Sequence, residues 1–485
     1  MIIDRSNIVR YITKALDFYN HKEYLQSEAV YIEIFKHINF IFPELYLGYA
    51  NTLIALHKYK EAIQNFHICL DYDKNIYEAY FGIAISYEKL SKKRKAVQFY
   101  KKTIQHKSSF IPAYNNLANL YQNIYQYKKA KRTYFLALQY DNKQSKTLDN
   151  LGTLYQSKNK HKKAISYHKL AIKYNKKNFT AYFNYSLALL MLGKKTKGFK
   201  YYEYRLKMIN SFANNLSDDK RWKGKKIKNK SLFIFTEQGL GDSIQFIRYI
   251  KYIKHFSQAT ILFKCQRGLI SLFKNIKEID FIIEDSKLPH FDYYLPLLSS
   301  TDVLNKHLSY IPNETPYLTY TKKHDLLSSR KFKVGLVWRG SSKNSNNNTR
   351  SIPLSKLAPI LEIKRCQFYS LQKEEVTIEE LKKYNIFDLG ERINDFNDTA
   401  NYINQLDLII SIDTAVAHLA LSLNKKTWVL LSHVSDYRWS KKTPQATWYS
   451  NAIIYKEKRL NNNWERTIKE VKSDLIKEVE LFKCF

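Results

Sequence analysis

Small residues recur along the first two hundred positions at Ala50, Ala84, Ala118, Gly152 and Ser186, and again at Ala62, Ala96, Ala130, Ala164 and Gly198, every step being 34 residues. A large apolar residue precedes each member of the first series (Tyr49, Ile83, Leu117, Leu151, Tyr185), and Leu53, Tyr87, Tyr121, Tyr155 and Leu189 stand three beyond it. Apolar positions three and four apart on such a period predict two helices per repeat, packed as a superhelix. A small side chain at each crossing lets the two backbones approach, and Phe66, Tyr100 and Tyr134 fill the gap beside the second series. The pattern spans about residues 9–205, with a more divergent first unit around 24–35. The proline usual between such repeats is replaced by Lys74, Ser108, Asn142 and Lys176, which predicts looser joints. One polar series keeps the same step: Asn116, Asn150 and Asn184, broken earlier by Gly48 and Gly82. Along the inner wall of a superhelix, a column of amide side chains can pair with the backbone of an extended peptide.

The period then fades into a basic connector, 206–230, ending in RWKGKKIKNK. From Ser231 the pattern changes to short apolar runs alternating with helix-period stretches. Strands are predicted at 231–235, 333–338, 367–371, 406–412 and 427–431, and helices at 243–256, 354–363, 377–384, 398–405 and 414–423. Such alternation predicts largely parallel sheets with ligands beyond the carboxyl ends of the strands. The candidate chemistry falls there. Gly239-Leu240-Gly241-Asp242 follows a strand and opens a helix, so its glycines permit a tight turn and its carboxylate sits at a helix N-terminus. Arg339, Lys343 and Arg350 lie within twelve residues after the next strand, in a loop suited to a diphosphate. Asp413, Thr414 and Ala415 mark a third strand-to-helix junction, whose amides and hydroxyl suit an anion, with His418 one turn inside. Gln372 ends a fourth strand, where its amide can read a base edge. A last amphipathic stretch, 464–482, predicts a helix within a C-terminal segment, 461–485.

Composition narrows the setting. The chain has 485 residues, 45% of them hydrophobic, with only 12 Gly and 9 Pro, which excludes a collagenous or linker-like chain and predicts several packed units. The net charge of +36 would suit phosphates, nucleic acid or anionic lipid. The excess lysine is spread through the chain together with Asn, Ile, Tyr and Phe, as an A/T-rich genome would produce, so no nucleic-acid partner is expected. Cys69, Cys265, Cys366 and Cys484 are too scattered for paired metal-ligand spacing or a disulfide framework. Neither a signal-peptide core nor an uninterrupted apolar stretch of ~18 residues is present, so a cytoplasmic chain without a membrane span is expected.

The repeats resemble the tetratricopeptide repeat, and the asparagine series resembles the asparagine ladder of O-GlcNAc transferases. Over about 220–460, the order EQGLGDSIQF, KVGLVWRGSSKN with TRSIPL, FYSLQ and LDLIISIDTAVAHLA resembles the glycosyltransferase domain that is similar to the heptosyltransferases. That resemblance implies α repeats followed by a GT-B pair of Rossmann-like α/β lobes. The acceptor lobe would span 231–325 and the donor lobe 326–460. It implies a nucleotide-sugar co-substrate, a protein or saccharide acceptor, a protein partner on the concave face of the repeats, and no obligatory metal or other cofactor. Asp242 is implied as general base, with His418, Asp413, Thr414 and Ala415 at the donor site. Lys343, helped by Arg339 and Arg350, would offset charge on the leaving diphosphate. Two departures stand out: an Asn-rich insertion after Lys343, and Leu431-Ser432-His433-Val434 in place of a proline-containing loop before Asp436-Tyr437-Arg438-Trp439. The alternative class is an adaptor, a repeat scaffold whose transferase domain has lost turnover.

Overall fold

The computed structural model describes residues 8–38, 42–208, 216–285, 287–308, 310–322, 327–341, 347–374, 376–440, 448–458 and 463–482. The chain divides into two units, Met1–Tyr155 with Ser166–Lys176, and Gln156–Ile165 with Lys177–Phe485.

The first unit is built from helix pairs. Helices start at Pro43, Tyr77, Ile111 and Ser145, and their partners at Tyr59, Lys93, Tyr127 and His161, each 34 residues apart. The small positions act as the sequence pattern requires. A methyl carbon placed on Gly82 would fall 2.1 Å from the Phe66 ring, and one on Gly152 would fall 2.4 Å from His168. His168 takes the place in its repeat that Phe66, Tyr100 and Tyr134 hold in theirs, and its Nδ1 lies 2.7 Å from the Asp149 carboxylate. Gly82→Ala is therefore expected to destabilise the unit by about 1–3 kcal/mol through overpacking against a buried ring. Alanine's better helix propensity would predict a gain of roughly 1 kcal/mol instead, and urea unfolding of the variant separates the two.

The turns inside the repeats carry a left-handed residue at His57, Ser91, Tyr125, Asn159 and Gly193, of which only the last is glycine. Two joints between repeats are closed without proline. Asp73 Oδ1 accepts the Asn75 amide at 2.8 Å and Asp141 Oδ1 accepts that of Lys143 at 2.9 Å, so these joints are fixed by Asx turns rather than left loose.

The second unit begins with the last helix pair of the repeat series, Phe179–Met191 and Lys195–Tyr202. Leu190, Phe199 and Tyr202 join a core with Trp222, Tyr437 and Trp448, so the repeat period outruns the first unit. Two parallel sheets follow. The first contains β1 (Ser231–Phe235), β2 (Thr260–Lys264), β3 (Phe281–Ile282) and β4 (Tyr293–Pro296), in the order β3-β2-β1-β4. The second contains β5 (Phe332–Val337), β6 (Cys366–Ser370), β7 (Ile386–Asp388), β8 (Leu408–Ile412), β9 (Thr427–Leu431) and β10 (Ala452–Lys456), in the order β10-β9-β8-β5-β6-β7. One apolar cluster runs from Leu232 and Ile234 of β1 through Trp448 to Ile409 and Val429, joining the two sheets. The other face of the second sheet is covered by helices Leu354–Leu361 and Glu465–Phe482, through Leu357, Ile468, Val471 and Leu475.

The helix expected over 243–256 is broken into Leu240–Phe246, a 3-10 turn Ile247–Tyr249, and Ile250–Ser257. The cause is local: Arg248 Nε takes the Gln245 carbonyl at 2.8 Å, the acceptor a continuous helix would offer to the Tyr249 amide. Among the described residues, no helix is long and apolar enough to cross a membrane.

Candidate functional site

The strand-end motifs of the two sheets meet. After β1 the chain turns at Gly239 and enters helix Leu240–Phe246, and Asp242 reaches back so that its Oδ2 accepts the Gly239 amide at 3.1 Å. After β8 the chain passes Asp413 and Thr414 into helix Ala415–Ser422. A methyl carbon on Gly241 would lie 3.0 Å from His418 Cδ2 and 3.4 Å from the Ala415 Cα, so the first turn rests directly on the mouth of the second helix. A side chain there would press His418 and the helix backbone apart by a few tenths of an ångström, so glycine suits that approach.

Asp242 is held by more than its turn. Arg438, in the loop after β9, donates from Nη2 to Asp242 Oδ1 at 2.5 Å and from Nη1 to Asp436 at 2.9 Å. Both oxygens of the expected base are thus engaged. Arg438 was legible only as part of a loop motif, because nothing in sequence spacing links position 438 to position 242.

His418 is 5% exposed and stacks on Trp439 with ring centroids 5.0 Å apart. Its Nδ1 lies 2.9 Å from the Tyr449 hydroxyl and its Nε2 3.7 Å from Asp413. Burial, aided by Arg438 and Arg248, drives its pKa well below the usual histidine range, so the ring is neutral. A buried neutral imidazole in this place is hydrogen-bonded to the Tyr449 hydroxyl and stands beside Asp413 without a hydrogen bond to it. Arg248 continues the network and, among the described residues, has no carboxylate partner: it donates to the carbonyls of Pro312 and Trp448 at 2.8 and 2.6 Å and to the Tyr317 hydroxyl at 2.9 Å.

Asp413 keeps 28% of its side chain open, at the junction of these groups. Burial, reinforced by the Asp436 carboxylate, pushes its pKa up to about 6. The folded chain therefore disfavours the charged form, and the stability present below the unfolded value of about 4 is lost as pH rises through the folded one. Asp413→Asn is expected to stabilise the ligand-free protein on the order of 1–3 kcal/mol at pH 8 and hardly at all at pH 4. Thermal unfolding at the two pH values checks this, and an equal shift at both would contradict it.

The remaining expected residues divide. Thr414 opens its helix without a side-chain cap, its hydroxyl lying 3.0 Å from that of Ser411, and Ala415 is the first helical residue. Arg350 packs its guanidinium over Gly340 and donates from Nη1 to the Asp413 carbonyl at 2.9 Å, so it shapes the junction. Arg339 pairs with Glu380 at 3.1 Å, and Gln372 Oε1 accepts the Arg339 amide at 3.1 Å, so the side chain expected to read a base is bonded to the neighbouring loop after β5. Lys343 lies outside the described residues. Asn116, Asn150 and Asn184 are all half-buried. The Tyr100 hydroxyl near Asn116 donates to Glu88 at 2.7 Å, Asn150 Nδ2 lies 3.5 Å from Asn115 Oδ1, and the Asn184 carbonyl accepts from Gln156 at 3.3 Å. The first two belong to the first unit and Asn184 to the second. Among the described residues, no group of three or more His, Cys, Asp or Glu is placed to hold a metal ion.

Sequence reading also passed over Glu237, in the same turn as Gly239. It binds the fully buried Arg205, which also pairs with Glu203, while Ser299 and Arg221 complete the cluster. Its only sequence signal was the acidic residue at the head of EQGLGD.

Comparison with known proteins supports the repeats. The tetratricopeptide repeat family model matches residues 147–178. Protein FlbA of Caulobacter vibrioides is 24% identical over 315 residues, covering 57% of this chain, and the chain spans about half (52%) of that relative's length. The thermophilic TPR protein TTC0263 of Thermus thermophilus is 17% identical, covering 37% of this chain and 98% of its own, with a TM-score of 0.33. A tetratricopeptide repeat protein of Parabacteroides merdae is 15% identical, covering 42% of this chain and 80% of its own, with a TM-score of 0.36. The N-terminal helix pairs thus form a tetratricopeptide-like helical repeat, matched by the family model over 147–178, a fold suited to protein partners, and a parallel-sheet α/β region follows it.

Proposed function

We propose that the chain is a metal-independent, inverting glycosyltransferase of GT-B architecture. The four-stranded sheet serves the acceptor, the six-stranded sheet serves a nucleotide-sugar donor, and the repeats recruit a protein that is, or carries, the acceptor. The observation that carries this reading is the contact, within one unit, between the glycine turn bearing Asp242 and the mouth of helix Ala415–Ser422. In such a transfer the acceptor hydroxyl oxygen bonds to the anomeric carbon as the bond from that carbon to the diphosphate breaks. The bonding pair leaves with the diphosphate, and the hydroxyl proton passes to Asp242. Fixed positive groups and helix amides answer the charge that develops on the leaving group; Lys343, Arg339, Arg350, Thr414 and Ala415 are the candidates. Asp413, with the buried His418 behind it, faces the sugar.

One observation favours the adaptor as a second reading: Arg339, Gln372 and both oxygens of Asp242 already have partners within the chain. A thermal-shift panel of nucleoside diphosphates and their sugars separates the two. A ligand at about 100 times its dissociation constant stabilises a transferase by about 2.7 kcal/mol. An adaptor with a vacated site shows no shift with any member of the panel.

A further inference from the structure

Arg438 is 12% exposed, and its guanidinium is only partly used. Nη1 is committed to Asp436, whose Oδ1 also accepts the Arg438 amide at 2.9 Å, so this contact belongs to the loop itself. Nη2 holds Asp242, which comes from the other sheet. Nε is buried and, among the described residues, has no partner. Nε and Nη2 form one edge of the guanidinium, two parallel donors spaced to meet two oxygens of a carboxylate or phosphate. Asp242 meets the guanidinium through Nη2 with a single oxygen, its second being turned to the Gly239 amide, so it leaves Nε unused. The ring of Tyr437, 4.7 Å from the guanidinium carbon, holds the group in place, and the adjacent Trp439 lies against His418 at the helix mouth. The half-filled edge therefore stands beside the elements assigned to the donor.

We propose that Arg438 is a shared cation which passes from Asp242 to the diphosphate of the bound donor, so that donor binding is what frees the base. The inference rests on the transferase reading above and adds an order to it. In the ligand-free protein each oxygen of Asp242 already accepts one hydrogen bond, so only part of the carboxylate's acceptor capacity is open to an acceptor hydroxyl. A diphosphate carries more charge than one carboxylate and can occupy Nε and Nη2 together. Its arrival satisfies the orphaned Nε and displaces Asp242, leaving that oxygen to take a proton. The acceptor is activated only once a donor is in place, and the loose sugar is not offered to water by a base already free.

The swap makes Asp242 a competitor of the donor, which gives it an unusual signature. Calorimetric titration with uridine, guanosine, adenosine and cytidine diphosphates is compared for the full chain, Asp242→Asn, Arg438→Lys and the double variant. Asp242→Asn is expected to bind the preferred diphosphate about tenfold more tightly, the scale of one charge-assisted contact no longer to be broken. Arg438→Lys, which keeps the charge and loses the edge, is expected to bind at least about tenfold more weakly. In the double variant, Asp242→Asn brings no gain, because the group it competed for is absent. A misfolded variant does not gain affinity, so the first result is insensitive to damage. If the natural chain binds a diphosphate and Asp242→Asn binds it no better, the shared-cation inference is overturned and the transferase reading stands. If no diphosphate binds the natural chain, both fall.

Discussion

Asp242→Asn is expected to lower sugar transfer by ~100-fold or more while leaving the donor site able to bind, since general-base catalysis contributes on that scale. Asparagine retains an oxygen that can accept the Gly239 amide, so the helix entry survives; what is lost is the proton acceptor and the ion pair with Arg438. The informative comparison is turnover against nucleoside diphosphate affinity in one preparation. A fall in turnover with affinity kept or improved places the defect in the chemical step. A parallel loss of both would mean that residue 242 serves the binding surface only.

The second large effect lies beneath the site. Arg205 is 1% exposed and sits between Glu203 and Glu237, with contacts of 2.6 and 2.5 Å. Arg205→Met fills a similar volume and strands the buried Glu237 carboxylate, while Glu203 keeps Arg221 and Ser299; breaking a buried pair in this way typically costs about 3–5 kcal/mol. Glu237 belongs to the turn carrying Gly239 and Asp242, so the loss is expected to appear both as a lower unfolding temperature and as a loosened motif. Replacing all three residues by apolar ones of matching size should recover much of the stability, because the penalty comes from uncompensated charge rather than from the missing ion pair. Chemical denaturation of Arg205→Met beside the triple variant tests this, and a single variant as stable as the natural chain would contradict it.

The repeats were legible because their geometry is local. Two crossing helices need a small residue at each contact, and that need is printed every 34 positions, from Ala50 to Ser186. The glycine turn was legible for the same reason: strand, Gly241 and helix are contiguous. The second unit was less so. Strands β3, β4 and β7 are two to four residues long, too short to display a period, and β2 and β10, as long as strands that were legible, end in polar or charged residues such as Thr260, Lys264 and Lys456. Long-range pairing was least visible. Asp242 and Arg438 are 196 positions apart, and Arg248 reaches the Trp448 carbonyl across 200, so neither partnership leaves a trace in spacing. Arg339 and Gln372 show the converse. Their residue types suited a diphosphate and a base, yet the fold first uses them to bind each other's loops and Glu380, because polar groups at partly buried strand ends must be paired.

The claim on which the rest depends is that the turn 239–242 and the helix mouth 413–418 border one ligand. Hydrogen exchange with and without saturating nucleotide sugar reads this directly. Slower exchange is expected at the amides of both segments at once, together with 436–439, where Arg438 is held. Protection confined to one sheet, or an exchange pattern unchanged by every donor in the panel, would contradict the account.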